Sequence, residues 1–190
     1  MTGTLRTFIA IELDPLIRQE LAKLQKELNK SGADAKWVKP ENIHLTLKFL
    51  GDTPINKIET INSILQEIAN QFNSFEISLS QIGTFPKVDS PRVIWVDIIQ
   101  GKEAVLKLAG EIEDKFLQVG FPKEGRAFQA HVTIARIRSP LNKINLVKQI
   151  KEIKPPQFTQ AVDKLTFFKS TLTPQGPIYE ILKEISLKTS

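Results

Sequence analysis

Both histidines of the chain stand in the same four-residue frame, His44-Leu45-Thr46-Leu47 and His131-Val132-Thr133-Ile134. Alternating polar and apolar side chains mark a half-buried β-strand, because successive residues of a strand point to opposite faces. Leu45, Leu47, Val132 and Ile134 therefore face a core. Each histidine shares the other face with a threonine two residues on. A frame used twice, about half a chain length apart, restricts the fold to one that carries two equivalent strands.

The likeness between the halves runs past the motifs. Thr53-Pro54-Ile55-Asn56-Lys57-Ile58 is matched by Ser139-Pro140-Leu141-Asn142-Lys143-Ile144. In both, a Ser/Thr N-cap before proline at the first helical position predicts that the strand leads into a helix. Ile58, Ile61, Leu65 and Ile68 then give one buried helical stripe. Phe75-Glu76-Ile77-Ser78-Leu79 in one half and residues 158–168 in the other are strand-like. Ahead of each motif lies an apolar strand and a helix. In the first half these are residues 6–13, then a helix starting at Asp14-Pro15 with Ile17, Leu21, Leu24 and Leu28 on one stripe. In the second they are residues 92–98, then a helix with Val105, Leu108, Ile112 and Phe116. Segments 31–35, 83–91 and 120–126 carry the Gly, Pro, Asp, Ser and Lys of loops. The expected architecture is α+β: a duplicated, pseudo-twofold chain with helices outside two sheets and antiparallel connections, two histidines converging on one central cleft. No stretch reads as an interdomain linker, so residues 1–190 are expected to form one domain.

The totals exclude several functions. With 41% hydrophobic and 25% charged residues the chain reads as globular. It has no cysteine, which removes disulfides, thiolate catalysis and cysteine zinc sites, and two histidines are a poor metal set. The first apolar run, residues 8–11, is broken by Glu12 and is too short for a signal core or a membrane span. A cytoplasmic protein with no membrane partner is expected. The net charge of +5 suits a polyanionic partner without demanding one.

A neutral imidazole can take a proton from water, and an imidazolium can protonate a leaving oxygen. Each positioned acid or base is worth roughly 10²–10⁴-fold in rate. The threonine hydroxyls, on the same side of the pleat, can donate to phosphate oxygens. In-line displacement at phosphorus wants base and acid on opposite sides, which a pseudo-twofold provides, and it needs no metal. A single His in an apolar strand is ordinarily structural, and Lys48, Arg136 and Arg138 taken alone are surface charges. Their nearness to two histidines in one repeated frame gives them a catalytic reading.

These residues resemble the 2H phosphoesterase superfamily, which paired H-x-T-x motifs define. The surrounding sequence is similar to its RNA 2′,3′-cyclic phosphodiesterase branch, once described as 2′-5′ RNA ligase. The resemblance spans nearly the whole chain. It runs from Arg6-Thr7-Phe8-Ile9-Ala10-Ile11 through Trp37-Val38-Lys39-Pro40-Glu41-Asn42-Ile43 into the first motif and on to Lys48-Phe49-Leu50-Gly51. After the second motif it takes in Ala135-Arg136, then Phe168-Lys169-Ser170 and Gly176-Pro177-Ile178-Tyr179.

The resemblance implies a bilobal fold, each lobe an antiparallel sheet flanked by helices, with the site in the groove between them. It implies hydrolysis of a terminal RNA 2′,3′-cyclic phosphate to a 2′-phosphomonoester, without metal or cofactor. His44 would be the proton donor to the 3′ oxygen and His131 the proton acceptor from water. Thr46, Thr133 and Arg136 would hold phosphate, and Phe49 would meet the nucleotide. Strict alternation, however, turns Arg136 to the opposite face from His131, so that role requires a bulge or the strand's end. Arg138 has the matching parity and is the alternative. Other functions within reach are hydrolysis of ADP-ribose 1″,2″-cyclic phosphate or 2′,5′-oligoadenylate, 2′,5′ ligation as the reverse chemistry, and non-catalytic binding of RNA ends. A monomer is expected.

Overall fold

The first strand sets the plan of the molecule. In β1 (Thr4–Glu12), Thr7, Ile9 and Ile11 enter the main core under the helices. On its other face Phe8 and Ala10 form a separate small cluster with Phe168, against which Tyr179 packs. The structure, a computed structural model, describes residues 3–189. The elements after β1 are α1 (Pro15–Asn29), β2 (Ala35–Trp37), β3 (His44–Pro54), α2 (Ile58–Ala69), β4 (Phe75–Lys87), β5 (Ser90–Gln100) and α3 (Lys102–Gln118). The chain continues through β6 (His131–Ile137), α4 (Lys143–Glu152), β7 (Phe158–Val162), β8 (Lys164–Thr173) and β9 (Gly176–Ser186).

Two antiparallel sheets result, one in the order β3-β1-β8-β9 and the other β2-β6-β5-β4-β7. The architecture is the expected α+β, but the halves of the sequence are not the lobes of the fold. β4, from the first half, pairs with β5; β8, from the second, pairs with β1. The helices cross over too. α1 leaves β1 to pack on β6 and α4, and α3 leaves β5 to pack on β3 and α2. Their stripes are buried as the spacing predicts, at Ile17, Leu21, Leu24 and Leu28 in α1 and at Val105, Leu108, Ile112 and Phe116 in α3. Among the described residues no helix is long and apolar enough to cross a membrane.

Three expectations need correction. Thr53 does not cap a helix: it lies inside β3, its hydroxyl 2.7 Å from that of Thr7 and donating to the Gly51 carbonyl at 3.2 Å. A residue before proline prefers extended backbone, so Thr53-Pro54 prolongs the strand. A 3-10 turn at Ile55–Lys57 follows, and α2 begins at Ile58. The matching Ser139 accepts the Leu141 N–H in a turn, and α4 starts only at Lys143 after Asn142 with φ 50°. Residues 83–91 are not a loop but the far end of the β4–β5 hairpin, paired down to Lys87 and Ser90. Gly83 serves there by its missing side chain rather than as a turn residue, since a Cβ would lie 2.2 Å from the Trp95 ring. Residues 158–168 divide at Asp163 into β7 and β8, one in each sheet.

Candidate active site

Strands β3 and β6 come together from different sheets, and between them opens a cavity of about 280 Å³. Its walls include His44, Thr46 and Phe49 from one strand and His131, Thr133 and Arg136 from the other. These six of the residues singled out in the sequence are thus brought to one place. The apolar partners Leu45, Leu47, Val132 and Ile134 are buried on the opposite faces, as alternation requires.

Alternation then breaks, identically in both strands. Opposite β6, partners run from Thr133–Trp95 directly to Ala135–Ile94, leaving Ile134 without a partner in β5. Opposite β3 they run from Thr46–Ala10 to Lys48–Ile9, leaving Leu47 unpartnered in β1. Each is a β-bulge three residues after the histidine, and a bulge reverses the facing of the residues beyond it. Ile134 and Ala135 are consecutively buried, as are Leu47 and Lys48. The residue five places after each histidine therefore returns to the groove. Arg136 is that residue in β6 and Phe49, 56% exposed, is its counterpart in β3. Arg138 lies beyond the strand's end and outside the cavity, its backbone N–H donated to the Asp34 carbonyl at 2.9 Å. Lys48 is turned the other way. It is 2% exposed, and its ammonium donates to Glu113 Oε1 at 2.6 Å and to the Pro122 carbonyl at 3.0 Å. Lys48 is a core residue and does not line the cavity.

The two imidazoles are oriented by the same device. His44 Nδ1 is 2.7 Å from the Asn42 carbonyl oxygen, and His131 Nδ1 is 2.7 Å from that of Gln129, in each case two residues upstream. A carbonyl can only accept, so Nδ1 carries the hydrogen and a neutral ring leaves its lone pair on Nε2. The Thr46 hydroxyl donates to that Nε2 of His44 at 2.8 Å. Asn42 is itself held, its side-chain amide donating to the Pro177 carbonyl at 2.8 Å. Sequence reasoning missed these carbonyls because backbone acceptors leave no mark in residue identity.

Aromatic rings enclose both bases. His44 lies 4.9 Å from Phe8 and 5.4 Å from Tyr179, centroid to centroid, and His131 lies 5.1 Å from Phe85 and 5.9 Å from Trp95. Burial pushes the His44 pKa down to about 4, only partly opposed by its bond to Asn42. Burial also lowers that of His131; the Gln129 carbonyl opposes it, the Arg136 charge adds to it, and Asp97 opposes it. Burial raises that of the Tyr179 phenol, against the nearby Arg136 and Arg6. Among the described residues no three His, Asp or Glu side chains gather as a metal-binding cluster. The cavity thus presents two neutral bases, two hydroxyls, a guanidinium and an exposed aromatic ring, a set suited to a small anionic ester.

That assignment meets independent support. The sequence model of the family described as "LigT like Phosphoesterase" matches residues 11–95 and 97–179. The chain belongs to the LigT-like phosphoesterase family, and it is a hydrolase of the 2H class. It is 36% identical over 180 residues to the RNA 2′,3′-cyclic phosphodiesterase of Thermotoga maritima, covering 95% of this chain and 94% of that protein. It is 36% identical over 181 residues to the protein of that name from Methanocaldococcus jannaschii, covering 95% and 99%. Among solved structures, TT0787 of Thermus thermophilus superposes with a TM-score of 0.81 at 25% identity, over 97% of this chain and 99% of that one. E. coli LigT complexed with 3′-AMP has the same fold, with a TM-score of 0.80 at 23% identity over 97% and 98%.

Proposed function

We propose that the protein hydrolyses RNA 2′,3′-cyclic phosphate ends to 2′-phosphomonoesters by acid–base catalysis between its two histidines, as one bilobal unit working as a cytoplasmic monomer. The observation that carries this is the paired orientation of the imidazoles, each held through Nδ1 with Nε2 left to act, on opposed walls of one cavity. The names of the relatives supply the substrate. His131 Nε2 takes a proton from water as its oxygen bonds to phosphorus. The bond from phosphorus to the 3′ oxygen breaks, and His44 Nε2–H protonates that oxygen. Thr46, Thr133 and Arg136 hold the non-bridging oxygens, and Phe49 offers its ring to the terminal base. Acid and base are both side chains, so the cycle asks nothing of a metal ion.

The test is turnover of a defined oligonucleotide with a 2′,3′-cyclic end. His44→Ala and His131→Ala are each expected to lower the rate by at least about 10²-fold with the fold intact. The double variant should fall well short of the product of the single losses, since the two act as a unit. Near-wild-type turnover in either single variant removes the two-histidine mechanism. Chromatography against 2′- and 3′-phosphate standards checks the bond broken: 2′-phosphate is expected, and 3′-phosphate reverses the leaving oxygen.

A further inference from the structure

The residue at the bulge that returns Arg136 to the groove carries a buried carbonyl with two donors. Ile134 has no partner in β5, and on the other edge of β6 its carbonyl faces Val38, one register step beyond the β2–β6 pairing of Trp37 with Ala135. Two donors meet it there. One is the Val38 backbone N–H at 2.9 Å, and the other is the side-chain amide of Gln25 at 2.8 Å. The same amide nitrogen donates to the Val38 carbonyl at 2.7 Å. Gln25 is 6% exposed and lies on α1 beside the buried Leu21, Leu24 and Leu28. An apolar helix face has no need of an amide unless a polar group waits opposite, because buried polar atoms are almost always hydrogen-bonded. Here that group is the carbonyl of the bulged residue itself.

The placement ties both halves of the site together. Val38 lies four residues before Asn42, whose carbonyl orients His44; Ile134 lies two residues before Arg136. One amide group therefore spans the approach to the first motif and the exit from the second. Without it, the Ile134 carbonyl loses a donor, and β6 is free to exchange the bulge for regular pairing. Regular pairing inverts the facing of every later residue. Arg136 would turn toward the helices and its guanidinium would leave the groove.

We propose that Gln25 is a positioning residue for phosphate binding, holding the bulge at Ile134 and through it the guanidinium of Arg136 in the groove. The proposal rests on the reading of Arg136 as a phosphate ligand, so its test uses phosphate affinity, which needs no turnover. Inorganic phosphate is titrated into the full chain while the imidazole NMR signals of His44 and His131 are followed. Gln25→Met, close in volume and without donors, is expected to weaken phosphate about tenfold with secondary structure retained. In an Arg136→Ala background the same substitution is expected to change phosphate affinity no further, because the group it positions is gone. A second signature is the His131 titration. Removing the nearby Arg136 charge raises its pKa, and Gln25→Met should raise it in the same direction.

Unchanged phosphate affinity in Gln25→Met overturns the proposal. So does an equal loss with and without Arg136, which would make Gln25 a stability residue only. Should Gln25→Met not fold, Gln25→Asn keeps the amide but is one methylene short of reaching both carbonyls. A smaller weakening, again confined to the background with Arg136, is then expected, and an equal loss in both backgrounds overturns it. An Arg136→Ala protein that binds phosphate as the wild type does removes the proposal with the reading beneath it. A protein that binds phosphate normally but does not cleave cyclic ends fails the proposed function and leaves the Gln25 result standing.

Discussion

At neutral pH, burial leaves His44 without the proton that the proposed reaction asks it to give. With its pKa near 4 the ring is neutral in the free groove, and the Thr46 hydroxyl donates to the very nitrogen that must be protonated. An anion in the groove reverses this balance, since a nearby negative charge favours the imidazolium. The His44 pKa, followed by NMR, is expected to rise when inorganic phosphate is added, and the alkaline limb of kcat to lie above that of kcat/KM. A His44 titration unmoved by saturating phosphate would exclude it as the acid. The same depressed pKa has a consequence for folding. The unfolded chain takes up this proton near pH 6.5, the folded one only near 4. The stability is therefore complete above 6.5 and is lost as the pH falls toward 4. The loss reaches up to about 3 kcal/mol, less as far as the groove admits water. Urea titrations across that window are expected to show a shallower acid decline for His44→Ala than for the wild type.

At the scale of elements, the ion pair between β3 and α3 shows how a motif strand is anchored. Lys48 and Glu113 have side chains 1% and 16% exposed, and Glu113 Oε2 also accepts the Glu124 N–H at 3.2 Å. Glu113→Ala leaves a buried ammonium with one carbonyl, and is expected to destabilise by about 3–5 kcal/mol. Lys48→Met combined with Glu113→Leu should cost much less, because no charge is stranded. Denaturant unfolding of both variants decides between this and a surface pair of little worth. Lys48 also marks where sequence reasoning stops. His44 through Leu47, and the stripes of α1 and α3, were legible because one periodicity held along each. Past each bulge the parity of a strand is reversed, and no spacing of polar and apolar residues marks where the bulge falls. The same limit hid the hairpin at 83–91, where two prolines and a glycine read as loop although the glycine is there for the Trp95 ring.

Taken whole, the molecule is two half-sequences that have exchanged parts. Each sheet borrows strands, and α1 and α3 each cover the sheet that their preceding strand does not belong to, so a half-chain would expose the core face that its partner covers. Separating the chain at the hairpin tip, between Val88 and Asp89, is expected to give two fragments that are unstructured alone by circular dichroism and regain helix and strand when mixed. A fragment that folds by itself would show that the exchange is dispensable. The bulges at Leu47 and Ile134 carry a further meaning for a site built by repetition. A doubled groove starts out ambidextrous: two alike bases, two alike hydroxyls, and nothing to distinguish one end from the other. A departure from that likeness at the groove falls at the position each bulge delivers, a ring at Phe49 and a cation at Arg136. Polarity enters there. A nucleotide has a flat end and a charged end, and in the proposed reaction a ring at one end of the groove and a cation at the other favour a single orientation, turning a palindrome into a sentence that reads one way.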